Sequence, residues 1–444
     1  MTVLIKILQF VLSLSILVII HELGHFIMAK YFRTRVEKFY LFFDPWFALF
    51  KFKKGETEYG VGWLPLGGYV KISGMIDESM DKEQLKQPPQ PYEFRSKSSW
   101  QRLLIMTGGV LFNFILAMLI FVFVLFAWGE TYLPTANVKY GIVTDSVGYA
   151  IGLRNGDKIL SVDNQPVENF MQITSEIVLN DKKTIQVDRN GELLNIVIPK
   201  EYIPKMLKGR GHITYRTPFQ AMKIKSFSKK SPSQEAGVLA GDEIIGINGL
   251  TFTYSDEFQT YLKTNSGKPI SLDIIRNGNS QKLTVTPDED GLLGIYYTGR
   301  SLDQVFEMKT IEYGFFESIP AGIAKGFRTI ADYLKQFKLL FSKDTKAYES
   351  LGGFITIGNI FPGVWDWQSF WDLTAFLSII LAVMNILPIP ALDGGHVMFL
   401  LYEVVTGRKP SDKFLEYAQI AGMVILFSLL ILANGNDIMR LIRK

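Results

Sequence analysis

The chain has no cysteine among its 444 residues. Disulfides and thiolate metal sites are therefore excluded, and any metal must be held by His, Asp or Glu. Histidine is nearly absent too: His21, His25, His212 and His396 are the only four. Charge is low. Charged residues make up 20% of the chain, and the net charge of +4 is too small to argue for a nucleic-acid partner. Apolar residues are plentiful, at 48%. They are gathered into a few runs rather than spread evenly.

Four of those runs are long enough to cross a bilayer, which takes about 20 apolar residues. Between Lys6 and Lys30 the only ionisable residues are His21, Glu22 and His25. Acidic and basic residues are absent between Arg102 and Glu130, between Asp372 and Asp393, and between Glu416 and Asp437. The first run lacks a small-residue cleavage site and is expected to be retained rather than removed as a signal peptide. Lys30, Arg33, Arg35 and Lys38, then Arg95, Lys97 and Arg102, then Arg408, Lys409 and Lys413 flank the spans. All three clusters fall on the cytoplasmic side if the N-terminus faces out. The terminal Arg440, Arg443 and Lys444 oppose that orientation.

The stretch from about 131 to 300 is soluble in character and would be periplasmic. It holds an internal repeat. Gly152-Leu-Arg-Asn-Gly-Asp-Lys-Ile-Leu160 matches Gly237-Val-Leu-Ala-Gly-Asp-Glu-Ile-Ile245, and each copy runs on into a turn, Val162-Asp-Asn164 and Ile247-Asn-Gly249. Alternating β-rich runs follow, at Lys183 to Asp188 and Ile270 to Ile275. The pattern resembles PDZ domains of the bacterial protease type, small β-sandwiches that capture an extended peptide by adding it to a sheet edge. The alternative is a pair of spacers that bind nothing. Next comes an amphipathic helix. Ile323, Phe327, Ile330, Leu334, Phe337 and Phe341 form one face, with Lys325, Arg328, Asp332 and Lys335 on another. Such a helix fits the membrane surface, the spans, or the β-rich domains.

His21-Glu22-Leu-Gly-His25 is an H-E-x-x-H motif inside the first span. On a helix, residues four apart share a face, so both imidazoles can reach one zinc ion while Glu22 acts on its water. Two histidines and a glutamate in a span are costly, which makes them functional by default. Zinc then needs a third protein ligand, with a fourth position left open. Asp393 is the candidate. It ends the third run, in Asn385-Ile-Leu-Pro388-Ile-Pro390-Ala-Leu-Asp393-Gly-Gly395, where two prolines break the helix. Irregular backbone at such depth survives only when buried in protein or lining a cavity. The competing reading makes Asp393 a helix N-cap.

These motifs together resemble the site-2 proteases, and within them the bacterial regulator of sigma-E protease group, over essentially the whole length. The resemblance implies a multidomain membrane protein with a four-span α-helical bundle and two inserted periplasmic PDZ-like β-sandwich domains. The expected divisions are 1–130 for spans one and two, 131–205 and 206–300 for the two PDZ-like domains, 301–365 for the amphipathic segment, and 366–444 for spans three and four. Gly55 to Ile72 resembles the family's membrane-associated β-hairpin loop, and Gly108-Gly-Val-Leu-Phe-Asn113 its span-two patch. The implied activity is an intramembrane zinc metalloprotease of the bacterial inner membrane. One zinc ion would be held by His21, His25 and Asp393 near the cytoplasmic side, with Glu22 as catalytic base. Substrates would be transmembrane segments of single-pass proteins, anti-sigma factors or signal-peptide remnants, gripped by Asn385, Gly67, Gly68 and Tyr69. The PDZ-like domains would hold peptides or substrate tails. For Asn385 a helix–helix hydrogen bond is the plainer alternative. His396 is assigned a supporting polar role, and His212 a place on the surface. Two other classes stay open: a scaffold that binds partners through its PDZ-like domains, and a transporter, which would need inverted repeats among its spans.

Overall fold

The computed structural model describes residues 2–75, 88–208, 213–340 and 352–442. His212, Phe341, Arg443 and Lys444 therefore lie outside the described residues. The chain forms two compact units. One is built on Met1–Glu130, Glu312–Phe341 and Tyr348–Lys444, the other on Thr131–Ile311.

Among the described residues, the first unit holds four helices long and apolar enough to cross a membrane: α1 (Thr2–Tyr31), α2 (Ser99–Trp128), α4 (Trp367–Ile386) and α6 (Asp412–Ile442). Between them in sequence come α3 (Phe315–Leu340) and α5 (Asp393–Thr406). Ser98 starts α2 with a capping box, its hydroxyl accepting from the Gln101 N–H while the Gln101 side chain accepts from the Ser98 N–H. The crossing of α1 and α2 is set by glycine. A Cβ on Gly24 would stand 2.3 Å from the Gly108 carbonyl oxygen, so the two backbones touch directly. Span three is joined to both neighbours by hydroxyls. Thr374 donates to Ser13 at 3.0 Å, and Ser378 to the Asn113 carbonyl at 2.8 Å. Ala117, Ile120, Phe121 and Val124 of α2 pack on Ala375, Ile379 and Val383 of α4.

Two features differ from the sequence expectation. The segment 55–72 is not a hairpin by itself. Its strand β2 (Thr57–Ile72) pairs with β1 (Val36–Lys54), and Leu41 faces both Gly68 and Val61. Each long strand bends and contributes twice to the sheet, so the part from Gly68 to Ile72 pairs along one side only, with residues 36–41. Phe42 and Trp46, at φ of 65° and 74°, lie at the bend of β1. Trp46 is 91% exposed and stacks on Trp63.

The second difference concerns α3. It packs on the spans, but through its small residues. A Cβ on Gly322 would meet the Val122 nitrogen at 2.5 Å, and one on Gly326 the Met118 sulfur at 2.1 Å. Lys325 pairs with Asp372 at 2.9 Å on the same side. Of the expected apolar stripe, Ile330 meets the core, whereas Ile323, Phe327 and Leu334 are exposed. The interior of the span cluster is already apolar, so close approach of glycines decides the seat and the apolar stripe is left outside.

The second unit carries both repeats. In the first, β4 (Lys158–Val162), β5 (Thr184–Arg189) and β6 (Glu192–Val197) form a three-stranded sheet. Beside it β3 (Ile142–Thr144) pairs with β7 (Ile213–Tyr215), so the chain returns to the first repeat before the second begins. In the second repeat, β8 (Met222–Phe227), β9 (Glu243–Ile247), β10 (Ile270–Arg276), β11 (Asn279–Val285) and β12 (Ile295–Thr298) form a sheet in the order β11-β10-β9-β8-β12. The helix Ser255–Thr264 covers it through Phe258 and Leu262.

The repeated Gly-Asp pair explains the internal likeness. Asp157 accepts from the Arg154 N–H and from the Arg189 guanidinium, which also donates to the Gly152 carbonyl. Asp242 does the same with the Leu239 N–H and Arg276, which donates to the Gly237 carbonyl. The guanidinium bonds and the Leu239 N–H hold the Asp242 carboxyl below its usual range, against the opposing effect of burial. A carboxylate depressed in the folded state stabilises above its unfolded pKa and loses that contribution as pH falls through its folded value. Acidification below about pH 4 is therefore expected to loosen the second repeat. Amide exchange along β9 and β10 should accelerate there, and Asp242→Asn should remove most of that pH dependence.

Candidate metal centre

Three side chains meet at one point. His21 and His25 project from the same face of α1, one turn apart. Asp393 comes from the first turn of α5. The sequence reading placed Asp393 at the end of the third span. Instead α4 stops at Ile386, because Pro388 and Pro390 supply no N–H and push Leu387 to an extended ψ of 144°. The chain crosses a short irregular stretch, and Asp393 opens the next helix. It is not the N-cap, which is Leu392. Its carboxylate points to the histidines instead.

The separations are nearly equal. His21 Nε2 lies 3.1 Å from Asp393 Oδ2, His25 Nε2 lies 3.2 Å from the same oxygen, and the two Nε2 atoms are 3.3 Å apart. These three residues form a metal-competent group among the described residues. Two ligands of a tetrahedral zinc, each about 2.0–2.1 Å from the ion, stand roughly 3.3–3.4 Å apart. The three atoms have that spacing.

Hydrogen bonds behind the rings decide what those atoms can do. His25 Nδ1–H donates to the Ile105 carbonyl at 2.9 Å, which leaves the Nε2 lone pair facing inward. The Asn113 amide nitrogen stands 3.2 Å from His21 Nδ1, while its Oδ1 is buried without a partner. Amide nitrogen and oxygen are interchangeable in shape. With the amide turned over, Oδ1 accepts from His21 Nδ1–H, and His21 Nε2 also keeps its lone pair inward. Two imidazole lone pairs and a carboxylate oxygen then converge with no proton among them. That donor set at that spacing fits zinc.

Glycine makes room for the rings. A Cβ on Gly109 of α2 would stand 2.5 Å from His25 Nε2 and 2.6 Å from His21 Cε1. Gly68 of β2 lies over the motif, its absent Cβ 2.7 Å from Val18 and 3.4 Å from Glu22 Cγ. The site opens into a cavity of about 500 Å³. Glu22, Asn385, Tyr69 and His396 line it together with the three convergent residues. Asn385 Nδ2 is 3.3 Å from His21 Nε2, so the sequence candidate in span three does reach the centre. Gly68 and Tyr69 also line the cavity, but Gly67 does not. It turns at φ 154° and packs under the Phe43 ring. The Tyr69 hydroxyl donates to Asp44 at 2.9 Å, which fixes the strand beside the cavity.

Sequence reasoning named the span-two patch without assigning Asn113 a role. The available signal was the one used for Asn385: an amide in an otherwise apolar span is costly unless it has a partner.

Known proteins resemble this chain over nearly its whole length. The sequence model of Peptidase family M50 matches residues 9–429. The chain is similar to the regulator of sigma-E protease RseP of Salmonella typhimurium, with 28% identity covering 97% of this chain and 98% of that protein. It is equally similar to a protein of Neisseria meningitidis named "putative zinc metalloprotease", with 28% identity over 98% of this chain and 99% of that one.

Asn113→Leu is expected to weaken zinc binding about 10–100-fold, because it removes the group that orients His21. Asn113→Asp, which keeps an acceptor, should retain most of the affinity. Chelator competition on the purified protein measures both, and equal affinity in Asn113→Leu and wild type would refute the orienting role.

Proposed function

The chain belongs to peptidase family M50 and is a zinc metalloprotease, and on that premise we propose that it cuts membrane-embedded segments of other proteins inside the bilayer. The observation that carries this reading is the convergence of His21 Nε2, His25 Nε2 and Asp393 Oδ2 within 3.1–3.3 Å, with both histidines on a helix long and apolar enough to span a membrane. In this reading those three residues hold the zinc and Glu22 is the catalytic base. When bound, zinc supplies Lewis-acid polarisation of the scissile carbonyl and makes water acidic enough to attack near neutral pH.

The chain's own residues perform the rest. Glu22 accepts a proton from the attacking water as its oxygen bonds to the carbonyl carbon. The carbon–nitrogen bond then breaks, and Glu22 returns the proton to the leaving amine. A peptide bond within a helix is shielded by its own hydrogen bonds, so the substrate must first unwind. The segment Gly68–Ile72 offers a strand side that β1 does not use, next to the cavity, and an extended substrate would pair with it. Tyr69 and Asn385 line the same cavity and would hold the substrate backbone. Exposed Trp46, Phe47, Leu49 and Phe50 at the far end of the β1–β2 sheet suit contact with lipid.

The wider assignment follows the relatives. Their names are those of zinc metalloproteases and of a regulator of sigma-E protease; with its four apolar helices this chain would lie in the inner membrane, and its substrates would include an anti-sigma factor. The Thr131–Ile311 unit would be periplasmic and PDZ-like. Between β12 and the helix Ser255–Thr264 it has a groove of about 700 Å³ that would take an extended peptide tail. There it would obstruct substrates with bulky outer domains until these had been trimmed.

Glu22→Gln is expected to retain zinc at wild-type stoichiometry and lose cleavage of a membrane substrate by at least about 10²-fold. Wild-type turnover in that variant would remove Glu22 from the mechanism. Deleting residues 136–290 should let untrimmed substrates be cut, and unchanged selectivity in a cleavage assay would argue against obstruction.

A further inference from the structure

Span four gives no side chain to the convergent triad, yet it grips the stretch that carries Asp393. Of the residues in α6 whose burial is described, only Gln419, Gly422 and Asp437 are buried. Two of these three touch the irregular link between α4 and α5. Gln419, at 7% exposure, accepts through Oε1 from the Ala391 N–H at 3.2 Å. A Cβ on Gly422 would fall 1.4 Å from the Pro390 carbonyl oxygen, so the span lies directly against that backbone.

Within the link, Ile389 N–H donates to the Leu387 carbonyl at 2.7 Å and Leu392 N–H to the Ile389 carbonyl at 3.0 Å, while the Ala391 N–H goes to Gln419. Pro388 and Pro390 have no N–H to give. Ala391 adopts φ of 89°, a left-handed conformation that an L-residue with a Cβ resists. Two residues later Asp393 aims its carboxylate at His21 and His25. Gly395 closes the turn from the other side, its absent Cβ 2.6 Å from Pro390 Cα. A relaxed Ala391 would rotate the start of α5 and swing the carboxylate away from the rings.

We propose that Gln419 is a positioning residue for zinc: its hydrogen bond to the Ala391 N–H holds the strained backbone that presents Asp393. This rests on the reading of Asp393 as a ligand and goes beyond it by making span four part of the metal centre. Gln419 also lines the cavity, so direct contact with substrate is the competing role.

A double-mutant cycle separates the possibilities. Gln419→Met keeps the length and removes the acceptor. Ala391→Gly removes the conformational strain, because glycine adopts positive φ freely. Two properties are read in detergent: zinc affinity by chelator competition, and the unfolding temperature of the metal-free full-length protein. Gln419→Met is expected to weaken zinc binding about tenfold and to lower the unfolding temperature. Ala391→Gly alone should leave zinc affinity near wild type. Adding Ala391→Gly to Gln419→Met should restore most of both losses. Gln419→Met binding zinc like wild type, or no recovery in the double variant, would overturn the proposal. A substrate-contact role would give that pattern, with loss in KM alone. Should Gln419→Met fail to fold, hydrogen exchange of the metal-free wild type decides: the Ala391 amide should be protected, and exchange at the open-chain rate overturns the assignment. Asp393→Ala serves as the control, since undiminished zinc binding there would remove the ligand reading itself.

Discussion

Two imidazole lone pairs and a carboxylate oxygen held within 3.1–3.3 Å repel one another unless a cation lies among them. The membrane unit reads as a set of devices that maintain this otherwise unfavourable meeting. The Ile105 carbonyl and Asn113 turn the rings so that the lone pairs face inward. Gly24, Gly108 and Gly109 bring α2 close enough for those contacts and clear the volume the rings need. Thr374 and Ser378 tie span three to spans one and two, so the start of α5 falls opposite the motif. Burial raises the value of each bond, because an unpaired polar group in apolar surroundings finds no water to replace its partner.

The same constraint accounts for where the backbone is irregular. Pro388 and Pro390 cannot supply helical N–H groups, and α4 ends just before them, at Ile386. The break lets Asp393 start a new helix instead of pointing along the old one. Its cost is a strained Ala391, offset by Gln419 and the close seat of Gly422. On the other side of the cavity, Gly68 brings strand β2 over Glu22. Rigid helices hold the triad, while a sheet with one free side borders the space where a substrate would lie.

The Thr131–Ile311 unit follows different physics. It is water-exposed in character and held by apolar cores with a repeated ion pair, Asp157–Arg189 and Asp242–Arg276. In each, the aspartate also caps the turn that its own repeat motif begins. The motif repeats because the same turn must be closed twice.

The spans, the H-E-x-x-H pair, Asp393 and the repeat were legible from the amino-acid order. Each is a local signal: apolar run length, helical spacing, a proline-broken span, a recurring Gly-Asp turn. Asn385 was legible for a related reason, as a lone amide among apolar residues. The outward stripe of α3, the double pairing of β2, Gly67 lying under Phe43, and the roles of Asn113, Gly109 and Gln419 were not. Those depend on which residue far along the chain comes opposite, and periodicity carries no record of that. Residue types and their spacing determined the chemistry available. Tertiary packing alone decided which ring nitrogens face Asp393 and which span lies against the stretch that carries it, because both follow from contacts between helices distant in sequence.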